Sequence, residues 1–123
     1  MRPTALEIME AVAEAYGVTL DDLRSRNRMA RLADARAVAC YLLTRRLNMS
    51  STYIGTMMSR NHATVLHSVR KVESMFRWPT MYAVDLNIIK SIEDKYFNKS
   101  NIKPNETDDT NTTKSEAMDA VGG

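Results

Sequence analysis

The residues best suited to chemistry in this chain are polar and basic rather than acidic or thiol. Arg60, Asn61, His62, Ala63 and Thr64 form one run. An apolar stripe follows at helical spacing, Val65, Val69, Val72 and Phe76, widened by Leu66 and Met75. A helix of this design docks by its body and offers its N-terminal turn to a partner. The side chains on that turn match the edges of DNA bases. Asn61 can donate to N7 and accept from N6 of adenine, and His62 can donate to a purine acceptor. Ala63 and the Thr64 methyl can touch a thymine methyl. Capping or packing of the helix start is the alternative for His62. Arg60, Arg70 and Lys71 suit phosphates, which position rather than specify. His67 suits either a phosphate or internal packing. Ser51 and Thr52, at the start of the preceding helix, can present backbone N–H groups to a phosphate.

A second cluster lies upstream. Arg24, Arg26, Arg28 and Arg31 fall within eight residues, with no acid among them. Arginines two residues apart do not share a helix face, so the spacing predicts a loop with guanidinium groups spread outward. Their mutual repulsion is relieved by an anionic partner. Phosphate or minor-groove contact is the expectation; a merely solvated basic loop is the alternative. Arg36, off the apolar stripe of the helix that follows, joins the expected phosphate contacts.

Charge along the chain supports a polyanionic partner. The formal net charge of +2 divides into an acidic start, a basic middle and an acidic end. Residues 24–77 hold eleven Arg and Lys against Asp34 and Glu73 alone, whereas residues 1–23 hold one base against five acids. Residues 78–123 hold five lysines against eight acids. Such segregation is a footprint of nucleic-acid binding.

Other chemistries find little support. None of the four glycines sits in a phosphate-cradling pattern, so no nucleotide cofactor is expected. Asp34 and Glu73 are isolated in sequence and suggest no acid–base pair. His62 and His67 are five apart, where four would align them on one helix face, and no metal site is expected. The single cysteine, Cys40, sits in an apolar run and reads as a small buried hydrophobe. No catalytic arrangement and no cofactor is expected. No signal peptide or membrane-spanning run is evident, which makes a cytoplasmic location the default.

The elements that must position these residues are all helical. Thr4 and Glu7 form a capping box ahead of a helix over Ala5 to Tyr16, stopped by Gly17. Thr19 caps a short helix over Val18 to Leu23. Asp34 to Leu47 carries the clearest core stripe: Ala35, Val38, Ala39, Leu42, Leu43 and Leu47. Ser50 or Ser51 caps a helix over Thr52 to Met58, in which Gly55 implies close approach by a neighbour. Ser59 and Asn61 compete to cap the next helix, and the pair reads as a helix-turn-helix. After Trp78-Pro79, Thr80 caps a last helix with the stripe Met81, Val84, Ile88, Ile92 and Tyr96, broadened by Ile89. The fold class expected is all-α: a small bundle over residues 1–97 with a polar, acidic, disordered tail over 98–123.

The run Ser59-Arg60-Asn61-His62-Ala63-Thr64-Val65-Leu66-His67-Ser68-Val69-Arg70-Lys71-Val72 resembles the signature of the DNA-binding domain of bacterial DnaA-type replication initiators, roughly G-R-D-H-T-T-V-L-H-A-x-R-K-I. The likeness extends back through Ile54-Gly55, the Ala37 to Leu47 helix, the basic loop and Tyr16-Gly17-Val18, covering about Leu6 to Tyr96. It implies an all-helical domain that binds duplex DNA sequence-specifically. The recognition helix reads the major groove through Asn61, His62, Ala63 and Thr64, and a loop arginine, matched here by Arg28, enters the minor groove. Asn61 stands where the family pattern has Asp, Ala63 where it has Thr, and Ser59 where it has Gly. Asp suits a cytosine amino group, whereas Asn can also donate. The expected target therefore differs from the family's usual box. The resemblance covers no ATPase domain. The expectation is a free-standing, monomeric DNA-binding protein of the sort found in phage or mobile elements. A helical adaptor that binds another protein through its basic face is the competing reading.

Overall fold

The computed structural model describes residues 2–97, and the expected tail over 98–123 lies outside the described residues. Among the described residues the protein is wholly helical, with six helices and no strand. They are α1 (Ala5–Tyr16), α2 (Leu20–Arg24), α3 (Ala30–Leu47), α4 (Ser51–Met58), α5 (His62–Met75) and α6 (Ala83–Tyr96). The chain divides into two compact units at Ile92–Glu93. The first, Met1–Ile92, holds α1 to α5 and most of α6. The described part of the second is the final turn of α6, where the Phe97 N–H donates to the Glu93 carbonyl (2.8 Å).

Local sequence accounts for most helix ends. The Thr4 hydroxyl accepts from the Glu7 N–H, and the Glu7 carboxylate accepts from the Thr4 N–H. Thr19 and Asp22 repeat this reciprocal cap on α2. Gly17 ends α1 at φ 71°, a left-handed conformation natural to glycine.

The centre of the fold is α3, which packs against α1 on one side and α5 on another, with α2 and α4 also touching it. Ala35, Ala37, Val38, Ala39, Cys40, Leu42 and Leu43 are all buried along it. The small residues let neighbouring helices approach closely, while each fully buried leucine contributes roughly 1.5–3 kcal/mol of hydrophobic stabilisation. The helix begins at Ala30 rather than at Asp34, so Arg31 belongs to its first turn rather than to the loop. Leu32, three residues before Ala35, extends the buried stripe to 2 % exposure. Met29 supplies no side-chain cap, which removes the usual sequence mark of this start.

Two apolar assignments change. On α5 the buried stripe is Val65, Val69, Val72 and Met75; Phe76 is half-exposed and lies against the Tyr41 ring at 5.8 Å. Leu66 also faces outward. On α6, Ile89 and Ile92 are buried, whereas Met81 and Val84 are exposed. Met81 lies before α6 begins, so it does not share that helix's face.

Candidate nucleic-acid interface

The α4–α5 unit is a helix-turn-helix built by one close approach. The Arg60 N–H donates to the Gly55 carbonyl (2.8 Å). A Cβ at Gly55 would stand 2.4 Å from the Arg60 carbonyl oxygen, closer than atoms tolerate. Glycine therefore lets the turn fold back onto α4. Ser59 terminates α4 in a left-handed conformation, φ 58°, at the position where the DnaA-type pattern carries glycine. It is thus the end of α4 and not a cap of α5.

Asn61 is the cap of α5: its Oδ1 accepts from the Thr64 N–H at 2.8 Å. This assigns the amide orientation, since only the oxygen can accept. The Nδ2 donor is the side of Asn61 left for a partner. The oxygen keeps a second lone pair, so the two-way pairing with adenine drawn from sequence stays open. His62, Ala63 and Thr64 form the first turn and are exposed, as are His67 and Arg70 further along α5. Among the described residues the side chains of His62, His67 and Arg70 have no hydrogen-bond or ion-pair partner. Lys71 is half-buried, with its ammonium 3.1 Å from Asp34. Glu73 pairs with Arg45. The two acids of the basic middle are therefore not isolated but tie α5 to α3. Partly exposed pairs of this kind contribute only about 0–1 kcal/mol.

The basic loop between α2 and α3 is tightly organised. The Ser25 hydroxyl donates to the Asp22 carbonyl (2.7 Å) and accepts from the Asn27 N–H (3.2 Å). The Asn27 side chain accepts from the Met29 N–H (2.9 Å). These local side-chain turns hold the backbone where helix is absent. Arg26, Arg28 and Arg31 are exposed, and none has a partner among the described residues. Arg24 is exposed, but its Nε donates to the Met57 carbonyl (3.0 Å).

Arg36 is the clear correction to the expected phosphate contacts. It is only 9 % exposed. Its Nε donates to the Leu23 carbonyl (2.8 Å) and its Nη1 to the Asn27 carbonyl (2.7 Å). Its Nη2 donates to the Asp22 (2.9 Å) and Ser25 (2.8 Å) carbonyls. Burial and the nearby Arg60 charge lower its pKa, opposed by Asp22. A buried guanidinium needs such acceptors, and the loop backbone supplies them. Arg36 therefore shapes the basic loop from beneath instead of meeting a phosphate. Arg60 is also turned inward: Nη1 donates to the Met58 (3.3 Å) and Ser59 (3.1 Å) carbonyls, and Nη2 donates to the Ser25 carbonyl. Charge counting missed both roles because a backbone carbonyl has no sequence signature.

At the start of α4 the Ser50 hydroxyl accepts from the Tyr53 N–H (3.1 Å). Ser50 is thus the cap, and Ser51 and Thr52 are the first two residues of the helix, with Thr52 and Tyr53 exposed. Among the described residues no group of three or more His, Cys, Asp or Glu could hold a metal, and no helix is long and apolar enough to cross a membrane.

Residues 6–72 match the family described as bacterial DnaA protein helix-turn-helix. The chain is similar to the chromosomal replication initiator protein DnaA of Anaplasma marginale, 37% identical over 83 residues, which are 67% of this chain and 18% of that protein. The corresponding protein of Desulfatibacillum aliphaticivorans is 44% identical over 70 residues, 57% of this chain and 15% of that protein. That of Wolbachia pipientis wMel is 32% identical over 90 residues, 72% and 20% of the two chains. The chain thus spans a fifth or less of the length of these curated relatives. The matched segment is a helix-turn-helix, a binding module and not a catalytic one.

Proposed function

Because this chain belongs to the bacterial DnaA helix-turn-helix family, we propose that it binds double-stranded DNA in a sequence-dependent way. The first turn of α5 enters the major groove and the basic loop lies at the adjacent minor groove. The observation that carries this reading is a pair of exposed surfaces linked by a side-chain hydrogen bond. The Asn61–Thr64 turn and the Arg26–Arg28 loop segment both lie open, and the bond from Arg60 to Ser25 links them. Arg28 is the candidate for the minor groove, where arginine is the preferred cation. Arg24, Arg26, Arg31, Arg70, Lys71 and His67 supply phosphate contacts, with the N–H groups of Ser51 and Thr52.

At the base edge, Asn61 presents a donor while its oxygen holds the cap. The donor suits an acceptor such as a purine N7, guanine O6 or thymine O4, and the second lone pair of the oxygen leaves the paired contact with adenine open. The Asn61, Ala63 and Ser59 departures set this target apart from that of the family pattern. A distinct target suits a regulator of replication or transcription in a phage or mobile element, acting as a monomer in the cytoplasm. The relatives' name, chromosomal replication initiator, points to the replication setting.

Competition binding with duplexes of differing sequence tests the reading. Asn61→Ala and His62→Ala should change the order of preference among duplexes. Lys71→Ala should weaken all of them about equally. Equal affinity of the wild-type protein for every duplex would exclude sequence reading. Absence of duplex binding, with capture of a protein through the basic face, would favour the adaptor role.

A further inference from the structure

The α4–α5 turn is held by its own backbone as well as by the Arg60 Nη1 bonds to the Met58 and Ser59 carbonyls. Its backbone is fixed by the Arg60 N–H on the Gly55 carbonyl and by the Asn61 cap. The basic loop is likewise held from within by Arg36, Ser25 and Asn27. Two side-chain bonds nevertheless cross between these elements, and they run in opposite directions. Arg24, at the end of α2, donates to the Met57 carbonyl in α4 (3.0 Å). Arg60, in the turn, donates to the Ser25 carbonyl in the loop. That same carbonyl already accepts from Arg36 at 2.8 Å. Two guanidinium groups on one oxygen repel each other, and burial and the Arg60 charge both lower the Arg36 pKa. The Nη2 bond to Ser25 belongs to neither element's internal hydrogen bonding; it joins one to the other despite that local cost.

We propose that Arg60 and Arg24 form a reciprocal arginine staple that fixes the register between the major-groove helix and the minor-groove loop. Arg60 is accordingly a positioning residue for DNA recognition rather than a phosphate contact. The inference rests on the DNA-binding reading above. It adds that the protein measures the spacing between the two parts of its target. A base pair inserted between those parts moves one past the other by about 3.4 Å along the duplex and rotates it. A stapled protein cannot follow that shift; an unstapled one can.

The test uses the full chain and a duplex selected by the wild-type protein from a random pool. One base pair is then inserted or removed between the minor-groove and major-groove segments defined by footprinting. For the wild-type protein each change should weaken binding about tenfold or more, as loss of one segment's contacts would. For Arg60→Ala the penalty should shrink to within about threefold, because the loop can re-seat on the shifted segment. Arg60→Lys keeps the charge but lacks the planar fork that reaches three carbonyls. It should behave like Arg60→Ala, with thermal melting recorded for both to establish folding. If both variants weaken binding to all duplexes by the same factor and keep the wild-type spacing penalty, the staple is overturned. If Arg60→Lys restores wild-type binding and spacing dependence, Arg60 acts as a charge on phosphate and the staple is again overturned. A wild-type protein that selects a sequence yet ignores spacing overturns the staple alone. One that selects no sequence overturns the DNA reading with it.

Discussion

Asn61 caps α5 and is proposed to read a base, and the two tasks separate by substitution. As a cap it satisfies the Thr64 N–H through Oδ1; as the proposed reader it offers Nδ2. Asn61→Asp keeps the acceptor for the cap and adds a negative charge at the helix start, where it is favoured. It removes the donor. The protein should stay as stable as wild type, while its base preference shifts toward cytosine at the position Asn61 faces, read by competition with duplexes varied there. Asn61→Ala should instead cost about 1 kcal/mol of stability through loss of the cap and blur preference at that position. Arg36 shows where residue-level reading from sequence fails. An arginine three residues after Ala33 in a basic stretch looks exposed, because charged residues are seldom fully buried unless paired. Its partners are four backbone carbonyls, and only the folded loop reveals them. The outward placement of Arg26 and Arg28 was legible from spacing alone.

Among the elements, the helix-turn-helix depends on the lack of a side chain at Gly55. Gly55→Ala adds about 1 kcal/mol of helix propensity. Its methyl meets the Arg60 carbonyl at 2.4 Å, and such overpacking costs about 1–3 kcal/mol. The variant should melt at lower temperature and bind duplex DNA more weakly, since the displaced backbone carries both the staple and the Asn61 cap. The α3 core yields a different check. Burial pushes the Cys40 thiol up to about 11, so near neutral pH it stays protonated and shielded. Alkylation of the native protein should be slow and should accelerate only when denaturant opens α3. Capping boxes, the Gly17 stop and the helix-turn-helix were readable because each has a mark in residue type and spacing. The start of α3 was not, since Met29 provides no side-chain cap. The outward turn of Phe76, Met81 and Val84 was not either, because periodicity shows neither where a helix ends, as at Phe76 and Met81, nor which turn of it meets a neighbour, as at Val84.

For the molecule as a whole, segregation of charge matters more than the net value. The exposed arginines of the loop and of α5 lie in the basic middle, whereas Glu10, Glu14 and Asp21 border one shallow depression on α1 and α2. Binding should weaken as salt rises, because each phosphate neutralised releases counterions, contributing about −0.9 to the slope of log affinity against log salt. Arg70→Ala should make that slope shallower by about 1. Arg36→Ala should leave the slope nearly unchanged per bound molecule while lowering stability, since its charge faces carbonyls inside the fold. This helix-turn-helix is proposed to read a DNA sequence through two linked elements. Selection of bound duplexes from a random pool by the wild-type protein, repeated at rising salt, tests it most directly. Enrichment of one two-part motif, retained as non-specific binding fades, is the predicted result. Recovery of a pool with no motif at any salt concentration would contradict it.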